Sequence, residues 1–189
     1  GNVNAPHTGV YAYGSGSTVT VRGNVNATGV GAEAESDANI VVYGDIKAES
    51  CGAKIVTEGR IIVQKDITTT GADSTGAWIK EAGSVRIDGD ITAVNYIKLG
   101  STIKLKSDGV ADPDLSGYTK YTDGNDRVVR VKGVVVPSDK VCEIGGTQYA
   151  TLDQAIAAAK SGEITTITLL QSITHHEPVV INGKSITFA

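Results

Sequence analysis

The pentapeptide GNVNA opens the chain at Gly1–Ala5 and returns at Gly23–Ala27, and degenerate copies follow as GDIKA (Gly44–Ala48), KDITT (Lys65–Thr69) and GDITA (Gly89–Ala93). Weaker echoes begin at Ser107 and Gly133. The anchors 1, 23, 44, 65, 89, 107 and 133 are separated by 22, 21, 21, 24, 18 and 26 residues. A recurring period near twenty residues means that one short unit stacks on itself, because such a unit cannot bury its apolar face alone. A stack of this kind builds a rod or a long flat surface before it builds a pocket.

Within one period the apolar residues alternate. Val19 and Val21 are interleaved with Thr18, Thr20 and Arg22, which is the pattern of a half-buried strand. Gly23–Asn24 makes a bend. Val25 and Ala27 flank Asn26, and after Thr28–Gly29 a third strand places Ala32 and Ala34 opposite Glu33 and Glu35. The next coils repeat the scheme as Ile40/Val42, Ile46 and Ala53/Ile55, then Ile61/Val63, Ile67 and Ala77/Ile79, then Val85/Ile87, Ile91 and Ile97/Leu99. Three short strands per turn predict an all-β fold, a right-handed single-stranded parallel β-helix whose coils lie about 4.8 Å apart, so that like residues form ladders. A six-residue period is absent, which argues against a left-handed hexapeptide helix, and repeats of one sense argue against a sandwich built of hairpins. The composition agrees: 23 Gly, 1 Phe, 1 Trp and no Met leave Val, Ile and Ala to fill a narrow interior.

The grammar changes twice. Ala111–Arg127 (ADPDLSGYTKYTDGNDR) is polar and reads as a loop excursion, after which Val128–Val136 returns to a strand. From residue 138 a second module is expected. Gly145–Gly146 sits between two short strands as a hairpin signal. Thr151 and Gln154 match a capping box, and Leu152, Ala155, Ile156 and Ala159 line one face of a short amphipathic helix near residues 151–161. Strands resume at Ile167/Leu169, Val179/Ile181 and Ile186/Phe188. The expected organisation is therefore 1–137 as β-helix coils with an excursion at 111–127, and 138–189 as the start of a second, truncated β-helix-like module.

Segments CEIGGTQYATLDQAIAAAKSGEITTITLLQSI (Cys142–Ile173) and INGKSITF (Ile181–Phe188) resemble the opening of pectin-lyase-like parallel β-helix modules in secreted bacterial surface proteins. SGYTKYTDGNDRVVRVKG (Ser116–Gly133) is similar to the junctions between their repeats, and the GDITA-type coils are similar to adhesin-like solenoids of gut-type Gram-positive bacteria. The resemblance implies an extracellular, cell-surface location and one of three roles: carbohydrate binder, polysaccharide lyase or spacer. The catalytic residues of the lyases have no counterpart motif here. A non-catalytic adhesin-like or spacer module is the expected function, and a lyase using Asp residues and Ca²⁺ is the alternative.

Seventeen basic against 21 acidic residues give a net charge of −4 and no basic patch of the kind nucleic acid requires. No segment approaches the ~20 apolar residues of a membrane-spanning helix. No cofactor is called for, although Ca²⁺ remains an option. The residue after each anchor is Asn2, Asn24, Asp45, Asp66, Asp90 and Asp108. Stacked Asp45, Asp66 and Asp90 would either hold a hard cation such as Ca²⁺ or serve as bend residues that bond local backbone.

A second column is expected to face outward: Tyr11, Glu33, Lys54, Trp78 and Tyr96. Exposed aromatic faces stack on sugar rings while flanking charges bond hydroxyls, so this column is the candidate site for polysaccharide or host glycan. The competing reading is that the rings only cover the junction between coils. Arg86, Asp88 and Asp90 alternate on one strand as either a polar site or a surface salt bridge. Asp108, Asp112, Asp114, Asp123 and Asp126 lack EF-hand spacing and read as a solvated loop. The run His175–His176–Glu177 has too few ligands for zinc and also reads as loop. Cys51 and Cys142, 91 positions apart, carry no disulfide spacing signal. The chain is expected to be a piece of a longer protein, and its oligomeric state is left open.

Overall fold

The computed structural model describes residues 1–133, 141–149, 151–170 and 181–189. The chain divides into two compact units, Gly1–Val136 and Pro137–Ala189.

The first unit is a parallel β-solenoid. Its first coil is β1 (Val3–Ala5), β2 (Val10–Tyr13) and β3 (Thr18–Val21), and its second is β4 (Val25–Ala27), β5 (Val30–Glu35) and β6 (Ala38–Val42). The third is β7 (Ile46–Ala48), β8 (Cys51–Ile55) and β9 (Gly59–Val63), and the fourth is β10 (Ile67–Thr69), β11 (Thr75–Ile79) and β12 (Gly83–Ile87). A fifth opens with β13 (Ile91–Thr92) and β14 (Asn95–Leu99). Stacking produces three sheets: sheet A runs β1-β4-β7-β10-β13, sheet B runs β2-β5-β8-β11-β14, and sheet C begins β3-β6-β9-β12.

Register makes the ladders explicit. Val3, Val25, Ile46, Ile67 and Ile91 stack in sheet A. Val10, Ala32, Ala53, Ala77 and Ile97 stack in sheet B, followed by Ala12, Ala34, Ile55, Ile79 and Leu99. Val19, Ile40, Ile61 and Val85 stack in sheet C. These ladders form one continuous core, with Ile40, Ile46, Ile55, Ile61, Ile67 and Ile79 wholly buried. Each such side chain contributes roughly 1.5–3 kcal/mol relative to exposure.

Sheet B departs from simple alternation at one position per coil. The paired residues run Thr75↔Asn95 and then Ala77↔Ile97, skipping Gly76. A Cβ on Gly31, Gly52 or Gly76 would overlap the Cγ2 of Ile46, Ile67 or Ile91 respectively, the sheet A residue of the following coil. These glycines thus leave room for an isoleucine. Tyr96 occupies the equivalent place in the fifth coil, where sheet A has no further rung among the described residues. Its side chain turns inward and fills the core end that an isoleucine fills elsewhere.

The 111–127 stretch is not loop throughout: it carries a strand at Tyr118–Thr122 between two turn segments. After β14 the chain forms β15 (Thr102–Lys104), antiparallel to β14, then a 3₁₀ turn at Lys106–Asp108 and β16 (Val110–Ala111). β17 (Tyr118–Thr122) pairs antiparallel with β18 (Arg127–Lys132), and β18 is the rung of sheet C that follows β12. Tyr121 is buried and meets Tyr96 edge-on, with ring centroids 5.7 Å apart and planes at 60°. Tyr121 Oη donates to the Lys106 carbonyl at 2.9 Å. Ser107 therefore anchors no coil, whereas Gly133 follows β18 as Gly89 follows β12.

In the second unit β19 (Cys142–Ile144) and β20 (Thr147–Tyr149) form a hairpin across Gly145 and Gly146, both at positive φ. Helix α1 (Leu152–Ala158) is capped by Thr151, whose hydroxyl accepts from Gln154 N at 3.2 Å. It is shorter than expected and ends at Ala159. Leu152, Ala155, Ile156 and Ala159 form its buried face. β21 (Ile164–Leu169) pairs in parallel with β22 (Ser185–Phe188), with Ile164 opposite Ser185, an offset of 21 residues. That offset matches the period of the first unit. Val179 and the 175–177 run lie outside the described residues.

Candidate functional site

The Asn/Asp column sits at the corner between sheets C and A, and its carboxyl and amide oxygens bond backbone. Asn2 Oδ1 accepts from Asn24 N at 2.9 Å, Asn24 Oδ1 from Asp45 N at 2.9 Å, Asp45 Oδ1 from Asp66 N at 3.3 Å and Asp66 Oδ1 from Asp90 N at 2.8 Å. Each side chain supplies an acceptor for an N–H in the next coil, which is the bend role. Asp90, at the end of the ladder, meets Lys106 Nζ at 3.1 Å. Asp108 is off the ladder and accepts from Leu105 N at 2.8 Å. Among the described residues no group of three His, Cys, Asp or Glu side chains is arranged to hold a metal ion.

The other acidic clusters are ion pairs. Arg86 Nε lies 2.9 Å from Asp88 Oδ1, which also accepts from Tyr118 Oη at 2.5 Å. Arg130 Nε meets Asp112 Oδ2 at 2.5 Å, and Arg127 Nη1 meets Asp123 Oδ2 at 2.5 Å. Burial acts to raise the Asp112 carboxyl, but the Asp114 N–H and Arg130 outweigh it and hold it below the ordinary range. Both cysteines are free and buried. Burial pushes the Cys51 thiol up to about 12.

The outer face of sheet B carries the candidate binding column. Register places Tyr11, Glu33, Lys54, Trp78 and Lys98 in line on successive coils. Four of the five expected residues are therefore brought together. Tyr96 is not: it is buried against Tyr121, and Lys98 takes its place. Strict alternation failed there because the chain departs from it at the glycine position that Tyr96 occupies. Aligning Trp78–Ile79 with Lys98–Leu99, a 20-residue offset, is the sequence signal that finds Lys98.

Tyr11 is half exposed, and its hydroxyl donates to Glu35 Oε2 at 2.9 Å, which holds the phenol above its ordinary value. Glu33 and Lys54 pair at 3.3 Å. Trp78 is partly exposed and is fixed by Nε1 donating to the Gly100 carbonyl at 3.1 Å. Three ammonium groups surround its ring, with Lys54 at 5.8 Å, Lys80 at 5.3 Å and Lys98 at 4.5 Å from the centroid. Beside the ring is a cleft of about 340 Å³, lined by Lys54, Asp73, Thr75, Trp78, Asn95 and Lys98 among others. A separate depression of about 590 Å³ follows sheet A along Asn4, Asn26, Lys47 and Thr68, and no aromatic side chain lines it.

No helix among the described residues is long and apolar enough to cross a membrane. No family model, curated protein or solved structure matches the chain.

Proposed function

We propose that this chain is a non-catalytic, extracellular β-solenoid module of a bacterial surface protein, adhesin-like, that binds polysaccharide or host glycan along the outer face of sheet B. The likeness of Cys142–Ile173 to pectin-lyase-like modules supports the location. The observation that carries the binding reading is the column itself. Tyr11 and Trp78 lie three rungs apart on one face, about 14 Å at ~4.8 Å per rung, with Glu33 and Lys54 between them. An extended oligosaccharide following the column would meet an aromatic surface at each end and charged groups in the middle. The inward ladders vary only among small and aliphatic apolar residues, whereas the outward residues change in charge and chemical type from coil to coil. Such positions are free to serve a ligand.

The test is a glycan and polysaccharide binding screen of the parent chain and Trp78→Ala, with product formation followed in the same wells and melting curves recorded for both proteins. Binding without turnover, weakened at least tenfold in Trp78→Ala at an unchanged melting temperature, is the expected result. Equal binding by the two proteins would remove the column from the account. Turnover would replace a binding module with an enzyme. Silence from every glycan would leave a spacer.

A further inference from the structure

The positive charge around Trp78 is only partly matched. Lys54 is paired with Glu33 at 3.3 Å. Arg127, whose Nε donates to the Lys80 carbonyl at 3.0 Å, is paired with Asp123. Lys80 and Lys98 have no ion-pair partner among the described residues, and Asp73 is the one carboxylate lining the cleft. At 5.3 and 4.5 Å from one centroid, these two ammonium groups stand less than about 10 Å apart, within about one Debye length at 0.1 M salt. Their repulsion is therefore not screened away. The ring quadrupole attracts them but does not neutralise them. The chain as a whole carries −4, so this concentration of cations is local and runs against the net charge.

An anion placed in the cleft would relieve that repulsion and accept charge-assisted hydrogen bonds. An aromatic edge beside it would pack against the apolar face of a sugar ring. We propose that the Trp78 cleft selects saccharides bearing an anionic substituent, a carboxylate or a sulfate, with Lys98, which lines the cleft, contacting the anion, Lys80 adding its charge from beside the indole, and Trp78 contacting the sugar ring that carries the anion. This rests on the glycan reading above and adds the charge of the ligand to it. A neutral sugar would have to share the ring face with the ammonium groups and would leave their charge unmatched.

The experiment measures binding of the full chain to dextran, dextran sulfate and hyaluronan at low salt. It includes the variants Lys98→Gln, Lys80→Gln, Trp78→Ala and Trp78→Phe, and Lys65→Gln as an exposed lysine on a different corner. Melting curves check that each variant is folded. At least one anionic polymer is expected to bind at least tenfold more tightly than dextran, and the tighter of the two identifies the group. Lys98→Gln should lose about fivefold or more, as loss of a charge-assisted bond requires; Lys80→Gln, which removes only a neighbouring charge, should lose less than Lys98→Gln but more than Lys65→Gln, which stays within about twofold, and Trp78→Phe retains most of the binding. Dextran binding as tightly as the anionic polymers, with loss only in Trp78→Ala, would keep the glycan reading and overturn charge selection. Equal loss in Lys65→Gln and Lys98→Gln would reduce the effect to diffuse polyanion adsorption and overturn it as well. No binding of any polymer, or full binding by Trp78→Ala, would overturn the glycan reading itself.

Discussion

Replacing Gly52 by alanine tests the stacking directly. The added Cβ would overlap Ile67 Cγ2 and stand 2.6 Å from the Gly76 carbonyl oxygen. Neither neighbour has room to retreat, since Gly76 O belongs to the next rung and Ile67 is completely buried. Overpacking of a filled core costs about 1–3 kcal/mol, and two rigid contacts put Gly52→Ala near the upper end, about 3 kcal/mol. At about 3 °C per kcal/mol for a unit of this size, the melting temperature should fall by roughly 9 °C. Gly117→Ala is the comparator: its φ is +81° and no atom lies within 4 Å of the added Cβ, so it carries only the left-handed backbone penalty, about 1–2 kcal/mol.

A double-mutant cycle sharpens the test. Ile67→Ala alone should cost about 2–5 kcal/mol through the cavity it leaves. Combined with Gly52→Ala it should cost at least about 1 kcal/mol less than the sum, because the overlap with Cγ2 is gone while the Gly76 carbonyl contact remains. Urea melts followed by circular dichroism give all four free energies. A Gly52→Ala variant no less stable than Gly117→Ala, or strict additivity in the cycle, would show that these glycines are not placed to admit the isoleucine of the next coil.

Three further expectations follow from the corners and the buried groups. Asp66→Ala should cost about 1 kcal/mol in a urea melt by removing the acceptor for Asp90 N, whereas Asp66→Asn, which keeps an acceptor, should cost less than half of that; if Asp66 held Ca²⁺ instead, the asparagine variant would lose a Ca²⁺-dependent stabilisation seen in the parent. Asp112 has a folded-state pKa below its ordinary 3.8, so its stabilising effect is present above that value and is lost as pH falls through the folded pKa; Asp112→Asn should flatten the part of the acid limb below about pH 4, and an unchanged limb would contradict the assignment. With its thiol pushed up to about 12 by burial, Cys51 should resist a disulfide reagent at pH 8 in native protein and react only after denaturation; reaction at the rate of a free thiol in the native state would contradict its burial.

Much of the solenoid is legible in the sequence because one corner of each coil recurs. Gly23–Asn24, Gly44–Asp45 and Gly89–Asp90 mark the same bend, and the Val and Ile positions counted from them fall on the same inward ladders. What was misread lies where a coil stops resembling its neighbours. Unbroken alternation sends Tyr96 outward, but Tyr96 stands at a position that holds glycine in the preceding coils, and there its side chain is buried. The excursion was read as loop from its Asp, Gly and Pro content. Yet Thr119 and Tyr121 alternate in YTKYT, and both are buried where β17 pairs with β18. The ion pairs Asp112–Arg130 and Asp123–Arg127 offset the polarity that made the stretch look solvated. Lys80 and Lys98 carry no sequence signal of their own, because charged residues on a strand exterior are ordinary until register sets them beside an aromatic ring.

Repetition therefore separates two kinds of position in this chain. An inward residue is constrained by the coil above and the coil below, so Ala32, Ala53 and Ala77 are the same side chain three times over, and the Asn/Asp corner varies only between two residues that accept the same hydrogen bond. An outward residue on sheet B touches its neighbours only through side-chain contacts such as Glu33–Lys54 and is not packed into the core. Tyr11, Glu33, Lys54, Trp78 and Lys98 lie outside the core ladders, and the chain's single tryptophan stands among three lysines. Holding the ammonium groups of Lys80 and Lys98 close together around one indole costs repulsion, and the ring attracts them but does not cancel it. That uncompensated charge is the physical reason to look for a ligand at Trp78 before any other point on the surface.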